Sequence, residues 1–387
     1  MIPLPALAKT EGSNKRVREL CQAFLNYGFD VATCAALDGN FKNIDNVKNY
    51  FLDVPSPAGL PMFLGKRLFT IAEKTGIKSR KQVDSFEEIL FLTGALNKNY
   101  FKKNIECVRK AIRDYKPDIV YSEFNLGAII AAKLENITVY SNYSYPVQHT
   151  YACSPNLAKG VNKILQEYNL SKVNSSLEIF LMADKLVIPS SYELEPIENT
   201  KAVFTGPFSN DNYTCTVNER NCIAAYIGSG TISEKKLINT LKKAFYKSKY
   251  EVYISASSVN SEDDCNIHIA PRHNFKHILP KSIAFINHGG QNSIMDGLKY
   301  GVPQIICPGK VFERKYNAES IRKNKSGIVL SESEFNSSNL KRLINVVYED
   351  KSYSFNCNKL WNSIEKLGGS KRVISEIIKL RTKNLTN

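Results

Sequence analysis

Residues 282–318 read SIAFINHGGQNSIMDGLKYGVPQIICPGKVFERKYNA, apolar runs alternating with glycine-bearing turns. The run at 283–286 predicts a buried strand that ends at Asn287 and His288. Gly289 and Gly290 follow, and without a Cβ the backbone there can turn tightly and approach a ligand. Asn292 or Ser293 is placed to cap a helix in which Ile294 and Leu298 share a face. Gly301 is placed to close that helix as its C′ residue. A second buried strand over 302–307 completes a strand–turn–helix–strand unit. The helix start brings unpaired N–H groups and the positive end of the dipole beside an imidazole, an amide and a hydroxyl. That combination suits a phosphate or diphosphate.

The stretch contains a longer pattern, H-G-G-x-N-S-x-x-[DE]-G-L, then G-V-P-x-I-x-x-P, then an acid followed by x-x-x-N-A. In this it resembles the donor-sugar signature of the inverting UDP-glycosyltransferase superfamily. The resemblance implies an α/β chain of GT-B type, two facing Rossmann-like domains with a C-terminal helix crossing back to the first. It places an acceptor domain at 1–207, a linker at 208–221, a donor domain at 222–368 and the crossover helix and tail at 369–387. It also implies a metal-free reaction with no cofactor, in which a nucleotide diphosphate sugar is the donor substrate. His288, Gly290, Gln291, Asn292 and Ser293 would meet the diphosphate, and Asp296 the ribose hydroxyls. A second glycine-rich turn, Gly228, Ser229, Gly230 and Thr231, adds diphosphate donors. Glu313 and Arg314 take the place of an acid–amide pair that holds the sugar hydroxyls. An arginine there suits an anionic sugar through a bidentate contact, or it holds Glu313 as an ion pair. The motif that clasps the nucleobase is degraded over 267–279; Arg272 stands for its glutamine in one register and for its stacking aromatic in the other.

The length of 387 residues fits two domains of ordinary size. A hydrophobic share of 43% with 23% charged residues is that of a globular protein rather than a disordered one. There is no run of 18 apolar residues and no basic-then-apolar leader, and nine scattered cysteines form no C-x-x-C pair. A reducing cytoplasm, with the membrane surface as a peripheral option, is the expected location. The net charge of +15 is uneven: residues 1–200 hold 24 Lys/Arg against 21 Asp/Glu, and residues 201–387 hold 28 against 16. A basic second half suits a diphosphate or an anionic membrane face. Nucleic acid is not expected, since basic and aromatic residues are not interleaved.

The first half supplies the candidates for deprotonating an acceptor, a small molecule or a lipid. Val17, Leu20, Cys21, Phe24 and Leu25 lie on one helical face ending at Gly28. In the family register this helix opens with Gly-His, and here those positions are Gly12 and Ser13. A serine hydroxyl is no base near neutral pH, and Ser13 reads equally as the helix N-cap. Glu123, at the end of the strand over 117–123, occupies the place of the acid that orients that histidine. Burial could raise its pKa enough to make it the base itself. His149, the single histidine of the first half, lies in the aromatic loop over 142–158 and is the other candidate. Loss of the motif histidine leaves a rival reading, a non-catalytic homologue that binds a nucleotide sugar or a partner enzyme. Residues 63–83, apolar with interspersed Lys and Arg, are expected to shape the acceptor pocket or rest on a membrane. Residues 161–183 read as one long helix, and 370–383 as a terminal one.

Overall fold

The computed structural model describes residues 2–3, 11–36, 44–56, 83–151, 157–208, 219–228 and 231–386. Ser229, most of the expected linker and nearly all of the basic 63–83 stretch lie outside them. The chain divides into two compact units, one of Met1–Asn210 with Leu367–Asn387 and one of Asp211–Lys366.

The first unit runs β1 (Ile2–Pro3), α1 (Glu11–Asn26), β2 (Ala32–Ala35), β3 (Lys48–Phe51), α2 (Phe86–Leu92), α3 (Lys98–Tyr115), β4 (Ile119–Ser122), α4 (Leu126–Leu134), β5 (Thr138–Asn142), α5 (Lys159–Glu167), β6 (Lys185–Ile188) and β7 (Ala202–Phe204). All its pairings are parallel, β1–β2–β3 on one side and β4–β5–β6–β7 on the other, with β1 beside β4. Parallel strands need crossover helices on the sheet faces, which bury both sides. Hence β2 is buried throughout, and α4 is buried from Leu126 to Ala132. Such a helix has no polar face to orient it. Asn125 defines its start, accepting the Ala128 N–H with its side-chain oxygen at 3.1 Å.

The second unit runs β8 (Cys222–Tyr226), α6 (Glu234–Phe245), β9 (Glu251–Ser255), β10 (Glu262–Asp264), β11 (Ile267–Ala270), α7 (Phe275–Ile278), β12 (Ser282–Asn287), α8 (Gln291–Lys299), β13 (Gln304–Ile306), α9 (Phe312–Lys323), β14 (Gly327–Val329), α10 (Ser337–Glu349) and α11 (Ser352–Glu365). Its sheet has the order β10-β11-β9-β8-β12-β13-β14, parallel except for β10 at the edge. The strand order reverses between β8 and β12, and the C-terminal ends of these two strands carry the glycine-rich turns. In open α/β sheets such a switch point is where ligands bind.

The last helix, α12 (Gly369–Thr386), belongs to the first unit. The Gly369 N–H donates to the Thr205 carbonyl at 2.7 Å. Val373, Ile374 and Ile377 are buried in one cluster with Val17, Leu20, Cys21 and Phe24 of α1.

Three local expectations change. α1 begins at Glu11, so Ser13 lies inside its first turn and is not its cap. The expected helix over 161–183 breaks at Tyr168, where Asn169 takes φ +57°, and resumes as a 3-10 segment at Ser176–Met182. α8 starts earlier than Asn292 or Ser293 would set it, with Gly290 as N-cap and no side-chain cap hydrogen bond. Four strands, β3, β10, β11 and β14, were not expected. No helix among the described residues is long and apolar enough to cross a membrane.

Candidate functional site

In the second unit the strand β12 delivers Asn287 and His288 to the turn before α8. Gly289 sits at φ +80°, a region closed to most L-residues. Three amides fasten this turn. The Asn287 side-chain oxygen accepts the Gly289 N–H at 2.8 Å, and the Asn287 amide donates to Gln304 at 2.9 Å. Gln304 in turn donates to the Ile294 carbonyl of α8 at 3.1 Å, and Asn317 of α9 donates to the Gly289 carbonyl at 2.9 Å. Neither Asn287 nor Gln304 is exposed at all, so these bonds satisfy amides that burial would otherwise leave costly. The sequence reading passed over this network. Part of its signal was available, since Asn287 ends one apolar run and Gln304 interrupts the next.

His288 is 8% exposed and packs edge-on against Tyr226, ring centroids 5.3 Å apart. The Gly228 N–H donates to its Nδ1 at 3.3 Å. Burial first, and then the Arg314 guanidinium, hold its pKa down to about 4, against a smaller opposing pull from the Tyr226 backbone. The ring is therefore a neutral N–H donor at physiological pH. Its Nε2 lies 2.6 Å from where a Cβ on Gly290 would stand, so the imidazole edge borders the open N-terminus of α8.

The structure thus joins four of the expected donor residues, Gly228, His288, Gly290 and Arg314, around one turn. Thr231 is buried beside them, its hydroxyl donating to the Gly228 carbonyl at 3.4 Å. Ser293 is buried in the first turn of α8, Gln291 and Asp296 are half-buried, and Asn292 and Glu313 face solvent. Arg272 stands exposed on the turn after β11.

In the first unit, Ser13 and Glu123 are brought together, as their register implied, through a residue the sequence reading missed. Arg16, one turn along α1, donates from Nε at 2.9 Å and from Nη2 at 2.5 Å to Glu123 Oε1, and from Nη2 to Ser13 Oγ at 3.1 Å. The Asn142 amide donates to Glu123 Oε2 at 2.8 Å. Burial pushes the Glu123 carboxyl upward, and the Arg16 charge and hydrogen bonds pull it back down. The expectation that Glu123 could itself be the base is corrected by this geometry. The residue is fully enclosed and both its oxygens are taken, so its task is to hold Arg16.

His149 lies after β5, half-buried, beside the packed rings of Tyr145 and Tyr151, whose centroids are 5.4 Å apart. Its Nδ1 is buried with no hydrogen-bond partner. Among the described residues no group of three or more His, Cys, Asp or Glu is placed to hold a metal ion.

Residues 256–380 match the family described as "Erythromycin biosynthesis protein CIII-like, C-terminal domain". The chain is 24% identical over 273 residues to the "Uncharacterized UDP-glucosyltransferase YojK" of Bacillus subtilis (strain 168), a match spanning 65% of this chain and 62% of that one. It is 21% identical over 295 residues to the NDP-glycosyltransferase YjiC of the same organism, covering 68% of this chain and 73% of that protein. Among solved structures it resembles the calicheamicin glycosyltransferase CalG4, with a TM-score of 0.73 at 12% identity over 98% of this chain and 97% of that one. With a glycine-rich turn at the switch point of a parallel sheet, the chain has the GT-B fold, and in sequence it is similar to nucleotide-sugar glycosyltransferases of the UDP-glycosyltransferase superfamily.

Proposed function

We propose that this chain moves a hexose from a UDP- or dTDP-sugar to an acceptor hydroxyl, with inversion and without a metal. The observation that carries the proposal is the pinned turn Asn287–Gly290, where a neutral imidazole edge borders the start of α8, which has no side-chain cap. Donors aimed where charge develops on a leaving diphosphate lower the barrier without the reorganisation that water would need. The donor binds the second unit at this turn. The acceptor binds the first unit, which carries His149 in the loop after β5 and the Arg16–Glu123 pair between α1 and the end of β4.

In the transfer, the acceptor oxygen forms a bond to the anomeric carbon on the face opposite the diphosphate. The bond from that carbon to the diphosphate oxygen breaks, and its electron pair leaves with the diphosphate. The acceptor proton goes to His149, the imidazole whose Nδ1 is buried without a partner. Ser13 sits against the Arg16–Glu123 pair, accepting a hydrogen bond from Arg16 and reaching the Glu123 carboxylate, and a serine hydroxyl is no base near neutral pH. The same arrangement also supports a second reading, a nucleotide-sugar binder without turnover.

Calorimetric titration with UDP, dTDP and their glucose conjugates tests the donor site. Saturable binding that His288→Ala abolishes is the expected result, and no binding by the folded chain would sink the transferase reading. In an acceptor screen, His149→Ala should then cut turnover by about 100-fold or more with donor affinity unchanged. Turnover that survives His149→Ala would remove His149 from the mechanism, and donor binding with no turnover on any acceptor would favour the binder.

A further inference from the structure

Among the described residues of the second unit, the large hydrophobic side chains that face solvent are Tyr246, Tyr348 and Phe355. Tyr246 caps the end of α6, Tyr348 lies in the last turn of α10, and Phe355 lies in the first turn of α11. The rings share one edge of the unit, and lysines run between them. Lys247 Nζ stands 5.4 Å from the Tyr246 ring centre, and Lys351 Nζ 4.3 Å from that of Tyr348. Lys249 joins the two helix ends, its Nζ 5.3 Å from the Tyr250 ring centre and 5.5 Å from that of Tyr348. Phe355, 67% exposed, follows Lys351 by one turn, its N–H donating to the Lys351 carbonyl at 3.0 Å. Lys359 follows one turn later.

The charge of this edge is positive. Lys242 is held by Glu262 and Asp264, whereas Lys247, Lys249, Lys351 and Lys359 make no ion pair among the described residues. The acids of the same two segments are Glu251, Glu349 and Asp350. Glu251 is bonded to His268 at 2.9 Å, and Asp350 accepts the Ser352 N–H at 2.9 Å. Single exposed hydrophobics are ordinary, but rings gathered with unpaired cations mark a contact surface for an anion-bearing partner. Single-stranded nucleic acid stacks its bases on open aromatic faces, and here each tyrosine already carries an ammonium over its ring. A lipid headgroup layer suits the arrangement better. Tyrosine rings and lysine stems are apolar, and their polar tips reach water and phosphate.

We infer that this edge of the second unit rests on an anionic membrane surface, with Phe355 entering the headgroup boundary and the four lysines meeting lipid phosphates. The segment 246–250 leads into the start of β9, so the patch lies at the N-terminal edge of the parallel strands. The glycine-rich turns follow the opposite ends of β8 and β12, and a membrane at the patch leaves them uncovered.

The test is co-sedimentation of the full chain with vesicles of phosphatidylcholine alone and of phosphatidylcholine mixed with phosphatidylglycerol, at low and at high salt. Binding should require the anionic lipid and fade as salt shortens the reach of the charges. Each lysine near such a surface contributes about 5-fold, so Lys247→Gln, Lys249→Gln and Lys351→Gln combined should weaken binding by about 100-fold. Phe355→Ser alone should weaken it by about 10-fold. The substituted side chains are exposed, and an unchanged urea midpoint verifies that the variants fold. No binding to anionic vesicles, or equal binding to uncharged ones, overturns the inference. Binding that survives the lysine substitutions overturns it too, since the contact would then lie elsewhere in the chain. Tighter binding of a single-stranded RNA oligonucleotide, abolished by the same substitutions, would assign the patch to nucleic acid instead.

Discussion

At the scale of single residues, the protonation of His288 decides what the proposed donor site can do. Its folded pKa, about 4, lies below that of an exposed imidazole, near 6.5. The unfolded chain therefore takes up a proton that the folded chain refuses. Above pH 6.5 this residue costs the fold nothing; as pH falls toward about 4 the cost grows, because stability rises with pH wherever the unfolded state binds more protons. Two results should follow. Affinity for UDP-glucose, whose diphosphate does not titrate in this range, stays flat from pH 8 to pH 5.5. The difference in urea midpoint between the native chain and His288→Gln shrinks as pH is lowered through the same window. A step in affinity near pH 6.5 would mean that the ring binds as an imidazolium. Glu123 shows the opposite use of burial. There the charge is enclosed with a partner, and removing either member would strand the other.

At the scale of elements, the donor turn is only as well placed as the amides behind it. Gly297 lies on α8, on the side away from the turn, and a Cβ there would stand 2.6 Å from the Gln304 side chain. Gln304 is the link between Asn287 and the Ile294 carbonyl. Gly297→Ala should therefore push Gln304 off both partners, costing about 1–3 kcal/mol by overpacking and lost hydrogen bonds. Donor affinity should fall about 10-fold although nothing touching the donor has changed. Chemical denaturation and calorimetry on the same variant check both halves. Unchanged donor affinity in a destabilised protein would show that the turn holds itself.

The element ends also show where local sequence signals succeed and fail. α4 has a local signal at its start, because Asn125 caps it. α8 starts at Gln291 with Gly290 as its N-cap and no side-chain cap hydrogen bond, so no polar side chain marks its start. Propensity rules favour Asn292 or Ser293 there and miss the start for that reason. The edge strands β3 and β10 were missed for a different reason. Their residues, KNYF and EDD, have little apolar pattern of their own and are strands because a neighbour supplies the ladder.

At the scale of the whole molecule, the two units are sewn from a discontinuous chain, since α12 returns to the first unit after the second is complete. Val373 is fully buried there against α1. Val373→Asp places an unpaired charge in that cluster and should destabilise the first unit by about 3 kcal/mol or more. Nucleotide binding by the second unit should persist. Scanning calorimetry with and without UDP separates the two, with an early transition for the first unit and a ligand-shifted one for the second. Equal loss in both transitions would show that the units unfold as one.

The linear chain carried the α/β fold of GT-B type and the strand–turn–helix–strand unit around His288, because each rests on short-range patterns. A buried run, two glycines and a helix face occupy consecutive residues and obey local sterics. Folding alone could establish that Arg16 is clasped by Glu123 across 107 residues, that Asn287, Gln304 and Asn317 share one turn, and that His288 is neutral. Those depend on which side chains meet and on how much water is excluded where they meet, and neither quantity is written in the order of residues.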